Sequence, residues 1–154
     1  MQLLSATTLL FAGLAASSAI KSRAPTPYSI TSFVATKSRM SAYTQYSFTV
    51  SNPALAVVEV HCSALVDGGS SGYTKLPYVY PGLGKCDDDA VTWTFLQPDT
   101  GKDATFNVTV GGVKGEYHVP ESDISYWVGD EANPFDDYVA YTGPTEFSVT
   151  EFED

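Results

Sequence analysis

The chain contains two cysteines, and the first lies in the segment whose side chains alternate most clearly. Residues 57–64 read VVEVHCSA, and four small or apolar side chains fall on one side of this segment: Val58, Val60, Cys62 and Ala64. A period of two is typical of a β-strand that buries one face. We therefore predict a strand whose buried face carries Cys62, so that any fold of this chain has to place that cysteine in its core.

Cys86 is the second cysteine, and it follows a loop rich in glycine and proline. In an oxidising compartment two such cysteines form a disulfide, and closing the loop between them would stabilise the fold by about 3.5 kcal/mol. A pair of thiolates in a metal site is the alternative, but the sequence offers no obvious third and fourth ligands. We expect a structural disulfide between Cys62 and Cys86.

The amino-terminal segment 1–19 carries no charged side chain and runs from an apolar centre at residues 9–15 to small residues that end at Ala19. This pattern predicts a secretory signal peptide, although the positive charge that usually begins one is missing. A membrane anchor is the alternative, but the apolar stretch is short compared with the about 20 residues that span a bilayer. We expect residues 20–27 to form a short leader or pro-segment and residues 28–154 to form one secreted domain.

Acidic residues outnumber basic ones by 18 to 8, which gives a net charge of −10. From Gly115 to the end the chain holds eleven acidic side chains and no lysine or arginine. This charge would repel the phosphates of nucleic acids and of anionic membranes, so we expect neither as a partner. It would attract a basic partner, although acidic side chains also serve simply to keep a protein soluble.

Short apolar or alternating segments recur about every ten residues after residue 28, and none of them has the period of a helix. Strands are predicted over 28–35, 43–51, 57–64, 91–95, 104–110, 113–119, 124–128, 138–141 and 146–152, with a weaker edge strand over 73–79. Ile30 and Phe33 are out of phase, which predicts a β-bulge, and Gly111-Gly112 predicts a tight hairpin turn. The chain is therefore predicted to be all-β, a compact single-domain antiparallel barrel or sandwich of nine or ten short strands.

Three sequence features are compatible with catalysis or metal binding, and each has a simpler interpretation. Residues 68–72, GGSSG, match the G-x-S-x-G nucleophile motif, but they connect two predicted strands and not a strand and a helix. His61 and His118 both fall on outward faces without a further cluster of ligands. The acidic residues of 87–89 and 130–137 offer oxygens for calcium without EF-hand spacing. We therefore predict no catalytic residue, no metal site and no cofactor.

Asn107-Val108-Thr109 is an N-glycosylation sequon. By the alternation of its strand, Asn107 is predicted to point outward, as a glycosylated asparagine must. We expect Asn107 to be available for glycosylation in a secreted protein, and an unused sequon is the alternative.

Ten tyrosines in a chain of this size indicate either a tightly packed core or a recognition surface, because a tyrosine ring is apolar and its hydroxyl is polar. Two groups of aromatic residues fall in or beside predicted loops. The candidate partner-binding residues are Tyr73, Tyr78 and Tyr80 in the first group and Trp127, Phe135 and Tyr138 in the second.

Taken in order, several of these segments resemble the Alternaria major-allergen family of secreted fungal β-barrel proteins, which includes protein elicitors. After a leader that ends in Ser22-Arg23 come YSITSF, YTQYSFTVSN and EVHCSA, then Cys86 shortly before an aromatic strand, and finally EYHVP. The resemblance covers residues 28–120.

The resemblance implies a compact barrel with a disulfide equivalent to Cys62 with Cys86, no catalytic residue, and an extracellular role against a plant host. Members of the family are associated with binding plant defence proteins of the thaumatin-like type, with immune responses, and in some cases with phenolic ligands at a dimer interface. This chain lacks a cysteine near the mature amino terminus and a second pair after Pro120. A covalent dimer, and a ligand site that depends on it, are therefore not expected.

The residues and the resemblance together predict a non-enzymatic secreted protein, effector- or allergen-like, that binds a host extracellular protein and modulates or triggers immunity. The alternative is a secreted carbohydrate- or cell-wall-binding β protein, in which paired carboxylates such as Asp136 and Asp137 would act as a glycosidase pair. A third interpretation, a calcium-stabilised structural wall protein, follows from the same acidic loops.

Overall fold

The computed structural model describes residues 28–37, 41–52, 57–68, 75–129 and 137–151. The predicted signal peptide and leader lie outside these ranges. The strands of the described part are β1 (Tyr28–Lys37), β2 (Tyr43–Asn52), β3 (Val57–Asp67), β4 (Lys85–Cys86), β5 (Val91–Leu96), β6 (Ala104–Val110), β7 (Val113–Val119), β8 (Ile124–Trp127), β9 (Tyr138–Tyr141) and β10 (Phe147–Glu151), with a 3-10 turn at Glu121–Asp123.

The described strands form an antiparallel sheet that curls into a nearly closed barrel. The strand order is β4-β3-β2-β1-β10-β7-β6-β5, and the hairpin of β8 and β9 lies off this path. The first part of β1 pairs with β10, whereas its end pairs with β9 through Thr36 and Ala140. The prediction of an all-β fold with nine or ten strands is confirmed. Because the single sheet curls until its two ends approach each other, the fold is a barrel and not a sandwich.

The barrel closes where β3 and β4 approach β5. Cys62 and Cys86 face each other across β3 and β4 and form the predicted disulfide, with their Cα atoms 4.0 Å apart. Val79, which lies in the loop that precedes β4, and Phe95 of β5 exchange two backbone hydrogen bonds of 2.9 and 3.3 Å. The loop before β4 is therefore attached to β3 by a covalent bond and to β5 by hydrogen bonds.

The prediction of an edge strand over 73–79 is wrong within the part of that segment that the structure describes. Only Val79 makes a bridge, and the described residues before it form no ladder. Pro77 has no N–H to donate, and the N–H of Leu76 donates to Oε1 of the buried Gln97 side chain at 2.8 Å. A side chain thus satisfies a backbone group that a neighbouring strand would otherwise pair.

The predicted alternation holds in the strands that line the core. Residues buried on alternate positions include Tyr46, Phe48, Val50, Val60, Cys62, Ala64, Val91, Trp93, Phe95, Phe106, Val108 and Val110. Gly111 and Gly112 have φ angles of 58° and 87°. Both lie in the left-handed region that a two-residue hairpin turn requires, so β6 and β7 are joined as predicted.

The ring of Phe33 lies at the centre of the core. Ser32 has a φ of 55°, and the register between β1 and β2 shifts between Thr31 and Val34, which confirms the predicted bulge. The bulge lets both Ile30 and Phe33 point inward. The Phe33 ring contacts the rings of Phe48, Phe95, Phe106, Tyr141 and Phe147, at centroid distances from 4.9 to 6.4 Å. Aromatic rings from both halves of the sheet therefore meet around one residue.

A polar contact joins the start of β6 to the end of β7 and to the 3-10 turn. Nε2 of His118 lies 3.0 Å from Oδ2 of Asp103, and Oδ1 of Asp103 accepts the N–H of Glu121 at 2.7 Å. The hydrogen bond from Glu121 and, after it, the contact with His118 lower the pKa of Asp103 below its ordinary value of 3.8. His118 is exposed, as predicted, and contacts the same Asp103 carboxylate that binds the turn.

Replacing both cysteines, Cys62→Ser with Cys86→Ser, is expected to lower the free energy of unfolding by about 3.5 kcal/mol. The reason is that the bond closes a loop with a sequence separation of 24. Urea unfolding measures the change, and the wild-type protein under reducing conditions is the matched control, which should lose a similar amount. An unchanged unfolding midpoint would show that the backbone hydrogen bonds of Val79 close the barrel without the disulfide.

Gly84 lies against the indole of Trp93, and a Cβ atom at this position would overlap the ring. Gly84→Ala is therefore expected to destabilise the fold by about 1–3 kcal/mol through overpacking. Trp93→Phe removes the part of the ring that clashes, and it loses no hydrogen bond because Nε1 of Trp93 is buried without a partner in the described part of the chain. A double-mutant cycle should show a smaller cost of the alanine in Trp93→Phe, and equal costs in both backgrounds would contradict this contact.

Asp103→Asn removes a charge that the fold stabilises while it keeps the shape of the side chain. Because the folded state lowers the pKa of Asp103, the charged form contributes stability above about pH 4, and this contribution disappears as the pH falls through the folded-state pKa. The variant should melt below the wild type at neutral pH, and the difference should shrink on acidification. Thermal unfolding at several pH values measures it, with Asp89→Asn as a control for the loss of one surface charge. A difference that is independent of pH would exclude this role.

Candidate functional site

Two of the predicted partner-binding residues, Trp127 and Tyr138, stack on the outer face of the β8–β9 hairpin. They occupy paired positions on the two strands, and their ring centroids lie 4.5 Å apart with an interplanar angle of 6°. Trp127 is 47% exposed and the adjacent Val128 is 87% exposed. The hairpin thus presents a stacked aromatic pair and an aliphatic side chain to solvent, and we call these three residues the aromatic hairpin surface.

Buried residues on the opposite face of the hairpin set the direction of this stack. Ile124, Val139 and Tyr141 are buried, and the ring of Tyr141 meets that of Phe33 edge-on at 4.9 Å. Burial raises the pKa of Tyr141, whose neutral hydroxyl donates to the Pro144 carbonyl oxygen at 2.8 Å. Because side chains alternate across a strand, the stacked pair has to point outward once these residues point inward.

The buried amide of Gln97 connects the hairpin to the barrel. Its Nε2 donates to the hydroxyl of Tyr126 at 2.6 Å and to the Lys102 carbonyl oxygen at 3.1 Å, while its Oε1 accepts the N–H of Leu76. The sequence prediction missed Gln97. The signal was present, because Gln97 continues the inward positions of β5 after Phe95, but two of its partners, Leu76 and Tyr126, lie on segments that are distant along the chain.

The two ends of the loop between β8 and β9 are joined to each other and to β1. The N–H of Gly129 donates to the carboxylate of Asp137, and Nζ of Lys37 donates to the carbonyl oxygen of Asp137 at 3.2 Å. Burial of Lys37, which is 4% exposed, lowers its pKa, and the charge of Asp137 opposes that effect. Asp137 therefore has a structural role at the base of the loop, and Asp136 lies outside the described residues.

Tyr78 and Tyr80 form a second aromatic pair, beside β5. Their ring centroids lie 4.1 Å apart, and Tyr80 is 59% exposed. They flank Val79, whose burial and bridge to Phe95 leave the two tyrosines on the outer side. Among the rings that the structure describes, neither tyrosine contacts the aromatic hairpin surface. The described members of the two predicted groups, Tyr78 with Tyr80 and Trp127 with Tyr138, are therefore separate pairs.

Tyr73, Phe135 and Ser70, the serine of the G-x-S-x-G motif, also lie outside the described residues. Asn107 is half-buried on the outer face of β6, between its cross-strand partners Thr94 and Glu116. Its side chain points outward as predicted, and its glycosylation stays a prediction.

A shallow groove opens on the outer surface where β10 separates from β7. In β10 only Thr150 and Glu151 pair with β7, and Ser148, which comes earlier in β10, does not. The groove has a volume of about 460 Å³ and is lined by Glu116, Tyr117, His118, Ser148 and Thr150. The ring of Tyr117 stacks on Phe147 at 4.0 Å and 18°. The groove is therefore a concave site with hydrogen-bonding side chains from Glu116, His118, Ser148 and Thr150, while the ring of Tyr117 packs with Phe147 against the core.

Within the described ranges, no three histidine, cysteine, aspartate or glutamate side chains are placed to bind one metal ion. The same residues include no helix with the length and apolar content of a membrane span.

Comparisons of the chain with protein-family models, with characterised proteins and with solved structures find no match. The resemblance to the Alternaria major-allergen family is therefore a hypothesis that depends on the sequence motifs alone. The aromatic hairpin surface, the tyrosine pair beside β5 and the groove between β7 and β10 are the candidate binding surfaces of the described part of the chain.

Proposed function

We propose that this protein is a secreted, non-enzymatic binding protein, effector- or allergen-like, that acts by contact with a host extracellular protein and modulates or triggers immunity. The aromatic hairpin surface of Trp127, Val128 and Tyr138 makes that contact. The plant host, and thaumatin-like defence proteins as a partner class, follow from the resemblance of the sequence motifs to the Alternaria major-allergen family.

The exposure of Trp127 is the observation that carries the proposal. A tryptophan that is 47% exposed beside a valine that is 87% exposed leaves apolar surface in contact with water, and burying that surface against a partner is favourable. Tryptophan and tyrosine are enriched among the residues that dominate the binding energy of protein interfaces. The stack with Tyr138 restricts the tryptophan before binding, so less conformational entropy is lost when a partner covers it.

The acidic charge supports a protein partner with a basic surface. The net charge is −10, and the chain from Gly115 onward, which includes the hairpin, has eleven acidic residues and no lysine or arginine. Such a field increases the rate of encounter with a basic protein and opposes contact with nucleic acid or an anionic membrane.

The groove between β7 and β10 favours a second candidate function, the binding of a carbohydrate. Small-molecule sites combine a concave shape, aromatic side chains and a few polar groups. The groove offers the carboxylate of Glu116 and the hydroxyls of Ser148 and Thr150 in a volume of about 460 Å³, and the ring of Tyr117 packs below them against the core. The alternative of a carbohydrate- or cell-wall-binding protein thus has a specific location to be tested.

Trp127→Ala with Tyr138→Ala is expected to reduce capture of the partner from plant extracellular fluid by about tenfold or more, because both aromatic anchors are lost. Immobilised wild-type protein should retrieve the partner, which mass spectrometry identifies and quantifies. The matched control is Tyr78→Ala with Tyr80→Ala, which removes an aromatic pair from another part of the surface and should leave capture close to that of the wild type.

The proposal fails if the wild-type protein retrieves no partner and causes no response when it is infiltrated into leaves. Binding to a glycan array would instead favour the second candidate, provided that Glu116→Ala removes the binding and the hairpin variant retains it.

A further inference from the structure

Asn107 lies in the middle of a strand that is paired on both sides, and its side chain points away from the core. At this position β6 pairs with β5 on one side and with β7 on the other. The adjacent Phe106 and Val108 are buried, so the Asn107 side chain lies on the outer face by alternation. Thr109, the third residue of the sequon, follows on the same face. The acceptor asparagine of the sequon is thus held on a rigid part of the sheet.

A small recess adjoins Asn107 on the side of β5. It has a volume of about 60 Å³ and is lined by uncharged residues, among them three threonines and a proline: Pro81, Thr92, Trp93, Thr94, Asn107 and Thr109. A site for a whole small molecule has a volume of about 300–1,000 Å³. The recess can therefore take one neutral substituent of a larger group, and not the group as a whole.

The sugar that a sequon receives carries a substituent of this kind. The linkage forms when C1 of an N-acetylglucosamine leaves the diphosphate of a lipid-linked oligosaccharide and bonds to Nδ2 of the asparagine, which loses one proton. The acetamido group of that sugar is on C2, next to the new bond, so it stays close to Asn107. It is neutral, and its methyl, carbonyl and N–H groups match a proline ring and threonine hydroxyls.

Pro81, at the side of the recess, belongs to the loop that closes the barrel. It lies between Val79, whose bridge attaches the loop to β5, and Cys86, whose disulfide attaches it to β3. The N–H of Leu83 donates to the carbonyl oxygen of Tyr80 at 3.0 Å, so Pro81 is part of a tight turn. A sugar on β6 that contacts Pro81 would attach this turn to a third strand.

We infer that Asn107 carries an N-linked glycan, and that the acetamido group of its first sugar fills this recess and holds the closing loop against β6. The inference rests on the proposed function in one respect, which is secretion, because the glycan is transferred in the secretory pathway. The recess gives the glycan a structural role that the sequon alone does not indicate.

Secretion of the full-length chain from a eukaryotic host tests the modification. Peptide mapping by mass spectrometry should find a glycan on Asn107 in the wild type and in Thr109→Ser, which keeps the sequon, but not in Thr109→Ala, which loses it. Both variants change the same side chain, so Thr109→Ser is the matched control. A wild-type protein that is secreted with an unmodified Asn107 would overturn the inference and leave the proposed function standing. A chain that keeps residues 1–19 and stays inside the cells would overturn the secretion on which both depend.

Partial and complete removal of the glycan test the role of the recess. An endoglycosidase that leaves only the first N-acetylglucosamine should keep the melting temperature within about 1 °C of that of the intact glycoprotein, whereas an amidase that removes the whole glycan should lower it by about 2–5 °C. The amidase leaves an aspartate at position 107. Asn107→Gln, which never receives a glycan and adds no charge, is therefore the control and should melt at a similarly lowered temperature.

Pro81→Ala tests whether the closing loop makes the contact. Any weakening of the turn itself is present with and without the glycan, so it cancels in the difference between the two forms. That difference in melting temperature should fall to less than about half of its wild-type value. Equal differences in the two backgrounds would overturn the contact with the closing loop. A melting temperature that does not respond to removal of the first sugar would overturn the role of the recess, and both results would leave the glycan and the proposed function standing.

Discussion

Closure of the sheet between β3–β4 and β5 is the constraint on which the rest of the structure depends. An open edge would leave backbone groups unpaired and available to other chains. β4 contains two residues, Lys85 and Cys86, and is too short to close the barrel by hydrogen bonds alone. The disulfide from Cys62 and the bridge from Val79 to Phe95 complete the closure. The same loop carries Tyr78 and Tyr80, so the closure also determines that these tyrosines face outward.

The closed barrel uses its interior for packing, which leaves recognition to the outer surface. Phe33 contacts five other aromatic rings, and these rings come from strands on both sides of the barrel. Buried polar groups then hold the β8–β9 hairpin in one position, since Gln97 bonds Tyr126 and Lys37 bonds Asp137. A buried polar group is costly unless it is paired, so these bonds resist rearrangement. The stack on the outer face of the hairpin is consequently presented on a rigid support, which favours binding.

Much of the fold could be predicted because alternation is a local signal. The bounds predicted for β6, β7 and β9 agree with the structure, and the bulge before Phe33 was visible as two apolar residues out of phase. The segment before Val79 was predicted wrongly because an apolar run that contains a proline does not reveal that the Gln97 side chain will satisfy its backbone. The predicted contact residues Trp127 and Tyr138 were found on one surface, but their stacking was not predicted.

The sequence by itself determined which side chains of each strand face the core, because successive side chains of a strand point to opposite faces and the apolar ones are buried. It also determined the presence of a glycine turn between β6 and β7 and the burial of Cys62. Only the tertiary structure decided which strands are neighbours and in which register. Lys37 and Asp137 meet although they are 100 residues apart, and Gln97 meets Tyr126 across 29 residues. Such juxtapositions follow from the packing of the whole core, since a shift of one residue in a strand would exchange its buried and exposed faces.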